Sequence, residues 1–226
     1  MNTTELHTQG YTVLRRLLDR RTAAAAKATA ERLRMEPIFN YNSTTSHNDG
    51  RRRQADFPGS DHLAALLNLN CNLLSTGRHA TDFVALESLP GCQIQAAHTD
   101  YIPDAALLDT TDDTVPLLAV IALQPATTLD VWPGSHRLVR RSRLTRHTPK
   151  VTRRTVRLNI GDVIVFRGDL IHAGSAYASR NLRLHAYIDH LLVPRPPNRT
   201  WTIQRHAEPL LRAAVVEGTE LVEPAD

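Results

Sequence analysis

The 226-residue chain has only two cysteines, Cys71 and Cys92. At most one disulfide is available, and neither cysteine has a CxxC partner. A disulfide scaffold, a zinc ribbon and a dithiol redox centre are therefore excluded, and both residues read as buried thiols. Long apolar runs are also missing, since none approaches the roughly 20 residues that a membrane span requires. The opening stretch MNTTELHTQGYTVLRRLLDR lacks the basic start, apolar middle and small-residue cleavage site of a secretory signal. An intracellular, cytoplasmic and non-secreted protein with no membrane partner is expected. Lysine is scarce as well, with Lys27 and Lys150 alone.

What is present is ordinary for a globular domain: 42% hydrophobic and 22% charged residues. The length suits a single domain over 1–226 that buries its core without staples. The formal charge of +4 is uneven, because residues 137–157 hold eight Arg and Lys150 and no acid, which leaves the remainder at net −5. Such a cluster is either a footprint for phosphates or the solvated face of a hairpin, and base rates favour the second. An almost purely arginine composition, which genomic base bias alone can produce, weakens the nucleic-acid reading further.

Helical and strand patterns separate along the chain. An Ala-rich segment at 22–35, with Asp19 or Thr22 as cap, and HLAALLNLNCNLLSTG with a Gly77 stop predict helices in an N-terminal part of about 1–78. Residues 40–60 read as a long polar loop, a place to look for substrate contacts. In the remainder, about 79–192, short β-type runs fall at 82–89, 92–99, 116–123, 128–132, 154–159, 163–167 and 182–190. With no helical pattern between them, they predict an antiparallel barrel or sandwich. Gly134 reads as a turn residue, and Gly161 with Asp162 as a hairpin turn. The tail, 193–226, should be irregular with a helix at 207–216.

In CQIQAAHTDY, His98 and Asp100 stand two apart, so on a strand they share a face. GDVIVFRGDLIHAGS supplies His172. Two imidazoles and a carboxylate occupy one face of an octahedral ferrous ion and leave positions for a bidentate oxo-acid and dioxygen. An HxD pair alone is common by chance in a chain with 11 His. Arg183 adds weight. On LRLHAYID, Leu182, Leu184, Ala186 and Ile188 alternate with Arg183, His185, Tyr187 and Asp189, and in a barrel that polar face points inward, where Arg183 grips a carboxylate bidentately. The competing reading makes Arg183 a surface residue.

These four residues in this order, with WPGSHR at 132–137, GDVIVFRGDLIHAGS at 161–175 and the opening GYTVLRRLL, resemble the phytanoyl-CoA dioxygenase family over about residues 10–190. The resemblance implies a mainly β (α+β) double-stranded β-helix, jelly-roll or cupin-like, with flanking N-terminal helices. It implies Fe(II), 2-oxoglutarate and O2 as cofactor and co-substrates, with His98, Asp100 and His172 as iron ligands and Arg183 as anchor for the distal carboxylate. The family usually offers a hydroxyl residue two places after the second His; here that place is Gly174, and Ser175 is the candidate to replace it. Ala97 stands where an aromatic residue is frequent, and the insert RRSRLTRHTPKVTRRTVR is longer and more basic than expected. Because Asp100 is a carboxylate, where related halogenases have a small residue, the resemblance implies hydroxylation. Tyr101, Trp132, Arg167 and Asp169 are candidates for substrate contact at the barrel mouth. His136 and His185 read as structural.

Three functions follow as expectations. The first is an oxygenase acting on a small molecule, in keeping with the acids Asp104, Asp109, Asp112 and Asp113 after the ligand strand. The second is an oxygenase modifying nucleic acid through residues 137–157, and the third is a metal-binding barrel without catalysis.

Overall fold

The computed structural model describes residues 2–38, 50–72, 76–101, 107, 109–139, 151–193 and the backbone of 201–202. The first half of the expected loop at 40–60, Asp104, the centre of the basic insert and the tail helix lie outside these residues.

Three helices precede most of the strands: α1 (Thr3–Gln9), α2 (Arg20–Ala30) and α3 (Asp61–Cys71). In α2 the Asp19 carboxylate accepts from Thr22 N at 2.7 Å, so of the two candidate caps Asp19 is the one used. Ala23, Ala26 and Ala30 form its buried face, and their small size lets the helix lie close to the sheet beneath. α2 ends at Ala30 and α3 at Cys71, both earlier than the periodicity predicts. A short α4 (His136–Val139) follows the Gly134 turn.

The strands are β1 (Tyr11–Leu14), β2 (Glu36–Pro37), β3 (Arg52–Asp56), β4 (Arg78–Ser88), β5 (His98–Thr99), β6 (Leu117–Ala122), β7 (Thr127–Val131), β8 (Arg154–Leu158), β9 (Val163–Arg167), β10 (His172–Gly174), β11 (Asn181–His190) and β12 (Trp201–Thr202). They form two antiparallel sheets, β1-β9-β6-β11-β4-β3-β2 and β12-β5-β10-β7-β8. Among the described residues no ladder joins the sheets, so the expected barrel is an open jelly-roll pair. No described helix is long and apolar enough to cross a membrane.

β6, LLAVIA, is buried at every position because it lies between β9 and β11 with both faces covered, which is why it reads as a continuous apolar run. β11 is also covered on both faces but keeps its alternation. Leu182, Leu184, Ala186 and Ile188 are 0% exposed in the core shared with α2 and α3, and the polar row turns toward the second sheet. Polar alternation here marks an internal site rather than a solvated face.

Two expectations need correction. Residues 52–56 form β3 and not loop, since Arg52 buries its side chain and the strand pairs with β4. The turn at Gly161 and Asp162 is not a hairpin: β8 pairs with β7, whereas β9 pairs with β1 and β6, so the chain crosses between sheets there. The crossing is fixed by Asp162, which accepts from Arg16 N at 2.9 Å, Asn159 N at 3.0 Å and Arg15 at 2.7 Å. Gly161 has φ +85° and packs against the Leu18 carbonyl, leaving no room for a Cβ.

Candidate metal centre

β5 and β10 are neighbours in the smaller sheet, and their register sets His98 directly opposite His172. Their rings lie 4.4 Å apart between centroids. Asp100 follows in the bend after β5 and completes the group. Its Oδ1 is 3.6 Å from His98 Nε2 and its Oδ2 is 3.7 Å from His172 Nε2. One ligand atom from each of the three residues falls within 4.8 Å of the others. Two ligands at right angles and about 2.1 Å from one ion stand about 3 Å apart, so this spread fits a shared metal.

The tautomers fit as well. His98 Nδ1 lies 2.7 Å from the Ala96 carbonyl and His172 Nδ1 3.1 Å from the Leu170 carbonyl. A carbonyl only accepts, so each Nδ1 carries the proton and each Nε2 presents a lone pair to the centre. Burial, with His98 alongside, pushes the His172 imidazole down to about 4, so it is neutral at pH 7. Burial alone would raise the Asp100 carboxyl. The neighbouring His172, His185 and His98 outweigh it and hold Asp100 well below the usual carboxylate range. Phe166 packs 4.8 Å from the His172 ring and keeps that side of the centre apolar.

On β11, Arg183 is 5% exposed, donates to Ser88 Oγ at 3.0 Å and lies 5.4 Å over the Tyr177 ring. Among the described residues it forms no ion pair with a carboxylate. A second buried arginine, Arg52, donates to the same Ser88 Oγ at 3.2 Å and to the carbonyls of Gly174 and Ser175 at 3.1 and 2.8 Å. The buried Ser175 Oγ has no hydrogen-bond partner among the described residues. A buried cation without a counter-charge among the described residues, and a hydroxyl without a partner among them that is tied to it through Arg52, suit an anionic ligand.

The structure also explains why Gly174 stands where a hydroxyl residue was expected. A Cβ there would collide with Gln95 Oε1, which accepts from Gly174 N at 2.9 Å, and come within 2.9 Å of Arg52.

The four candidate substrate contacts are held by partners of their own. Arg167 and Asp169 are 1% and 0% exposed and hold each other through two bonds of 2.9 and 3.0 Å, with Asp112 as a further partner of Arg167. They stand in a buried ion pair that Asp112, whose side chain is half exposed, extends toward the surface. Tyr101 is buried against Gly168 and donates to Asp189 at 3.0 Å. Trp132 packs with Ala97, Val139, Ile171 and Ala173 on the other side of the smaller sheet.

Sequence reasoning missed Arg52, concealed in an expected loop, and it read His185 as structural. His185 Nε2 lies 3.4 Å from Asp100 Oδ2. Its place in the polar row of β11 was the available signal.

The phytanoyl-CoA dioxygenase family model matches residues 6–184. The chain belongs to the phytanoyl-CoA dioxygenase family. Solved structures agree on the fold. The carbocyclase SnoK from nogalamycin biosynthesis, described as non-heme and alpha ketoglutarate dependent, superposes with TM-score 0.65 at 19% identity, covering 83% of this chain and 82% of that one. AviO1 from Streptomyces viridochromogenes Tue57 gives 0.61 at 17% identity over 86% and 96%. HygX from Streptomyces hygroscopicus, solved with nickel, 2-oxoglutarate and hygromycin B bound, gives 0.61 at 15% identity over 82% and 85%. A search of curated proteins finds none that matches this family member.

Proposed function

We propose that this protein is an Fe(II)- and 2-oxoglutarate-dependent dioxygenase that hydroxylates a C–H bond of a small molecule. The observation that carries the reading is the pairing of a convergent His98, Asp100 and His172 set with a buried Arg183 that has no carboxylate partner among the described residues. A metal alone would explain the first feature, but only an anionic co-substrate explains both.

In this reading His98 and His172 give their Nε2 lone pairs to the metal and Asp100 a carboxylate oxygen. When bound, the metal and 2-oxoglutarate supply the oxidising chemistry: O2 is consumed, one oxygen atom leaving in succinate with release of CO2 and the other entering the substrate. Arg183 holds the distal carboxylate of 2-oxoglutarate, and Ser175 Oγ donates to it. Arg52 holds the Ser175 backbone in place for that contact. The Nδ1–H bonds to Ala96 and Leu170 keep both imidazoles in the metal-binding tautomer. Asp100, as a carboxylate ligand, favours hydroxylation as the outcome. Small molecules are the favoured substrates; HygX, a structural neighbour, has hygromycin B bound.

The test follows succinate while small molecules, nucleosides and peptides are screened by mass spectrometry. Succinate formation that requires Fe(II) and O2, stimulated by one compound that gains a single oxygen atom, is expected. No succinate under any condition would refute the enzyme reading. Stimulation by nucleic acid instead would move the substrate class to the basic segment.

A further inference from the structure

The inner row of β11 does more than place Arg183. His185, two residues on, brings its Nε2 to 3.4 Å from Asp100 Oδ2, closer than His98 at 3.6 Å or His172 at 3.7 Å. It is nevertheless not part of the convergent group, which among the described residues comprises His98, Asp100 and His172. Its ring packs edge-on against Tyr187 at 4.8 Å, which limits its rotation. Further along the same row, Asp189 accepts from Tyr101 at 3.0 Å and from Thr81 at 2.9 Å. One strand thus holds the bend after β5 twice, at Asp100 and at the next residue.

We propose that His185 is a positioning residue that donates Nε2–H to Asp100 Oδ2 and so leaves Oδ1 as the single ligand oxygen of that carboxylate. The inference rests on the metal reading above. Its consequence is a matter of counting. Three protein ligand atoms on an octahedral ion leave room for a two-point oxo-acid and for dioxygen. A carboxylate free to bind through both oxygens would take one of those positions. His185 removes that option by occupying the second oxygen, and it also fixes the plane of the carboxylate as partners of metal ligands generally do.

Co(II), which reports its coordination through visible d–d absorption, is titrated anaerobically into the wild-type protein, His185→Ala and His185→Gln, each with and without 2-oxoglutarate. The amide nitrogen of Gln stands close to the position of Nε2 and donates as it does. We expect His185→Ala to weaken Co(II) binding roughly 10–100-fold, the range for lost partners of metal ligands, and to blunt the spectral change that 2-oxoglutarate causes. His185→Gln should recover most of both. Thermal unfolding of the metal-free proteins should be little changed, which separates positioning from loss of fold. Wild-type affinity and spectra in His185→Ala, or a Gln variant no better than Ala, would overturn the proposal while leaving the metal reading intact. Failure of the wild-type protein itself to bind Co(II) would overturn the metal reading, and this inference with it.

Discussion

Replacing Arg183 by Met separates a residue kept for the fold from one kept for a ligand. Arg183 is 5% exposed, and among the described residues its guanidinium meets one hydroxyl, Ser88 Oγ at 3.0 Å, and the face of Tyr177 at 5.4 Å. The hydroxyl bond returns about 1 kcal/mol and the ring about 1 kcal/mol more. Removing a charge from water costs several kcal/mol, so without its ligand Arg183 is a net burden on stability. Arg183→Met should therefore leave the ligand-free protein at least as stable as wild type in urea unfolding. Binding of 2-oxoglutarate should behave oppositely. Loss of one partner of a buried ion pair costs about 3 kcal/mol, which weakens affinity roughly 150-fold. Calorimetric titration of 2-oxoglutarate into the anaerobic metal-loaded protein reads this directly. A variant that loses more than about 2 kcal/mol of stability yet binds 2-oxoglutarate as wild type does would refute the reasoning.

Gly174→Ser, which restores the residue type usual in the family, should harm this protein. The new side chain displaces Gln95 and Arg52, costing about 1–3 kcal/mol for the disrupted buried hydrogen bonds and weakening 2-oxoglutarate affinity through Ser175. Equal stability with tighter binding would contradict the steric account. His136 supplies a pH test, since burial and Arg167 depress its pKa to about 4, below the ordinary value of 6.5. The folded state favours the neutral ring, so its contribution is complete above pH 6.5 and is lost as the pH falls toward 4. Unfolding free energy should drop by about 2 kcal/mol between neutral pH and about pH 5 from this residue. His136→Gln should lack that part of the slope, and an identical slope would count against it.

Legibility differed with the physical signal available. β4, β6, β7, β8, β9 and β11 announced themselves through alternation or through apolar runs bounded by turn residues, and each lies within a few residues of its expected span. The stretch 92–97 did not form the expected strand. It is held instead by an isolated bridge at Cys92, by Gln95 bonding and by Arg52 reaching the Gln93 carbonyl, none of which leaves a periodic trace. α1 was missed because seven polar-rich residues carry a single buried position, Leu6.

At the site, His98 and Asp100 come together as expected, but through the bend after β5 and not on a shared strand face, whereas the alternation on β11 was enough to turn Arg183 inward. Arg52 was not legible, because its role depends on β3 pairing with β4. His185 was visible in the same alternation as Arg183, but only the approach of the Asp100 bend from the other sheet gives it a partner. Arg167 and Asp169 show the converse. Their charge beside a ligand strand was visible in one dimension, but their pairing with each other is seen only in three.

The central claim is that one centre, built by His98, Asp100 and His172 and completed by Arg183, takes both a ferrous ion and 2-oxoglutarate. Anaerobic addition of Fe(II) and then 2-oxoglutarate tests it most directly, because chelation of the oxo-acid on ferrous iron produces a visible charge-transfer band that neither component gives alone. The account predicts that band in the wild-type protein, its loss in His172→Ala, and its appearance in Arg183→Met only at much higher 2-oxoglutarate concentration. No band in the wild-type protein at saturating Fe(II) and 2-oxoglutarate would contradict it.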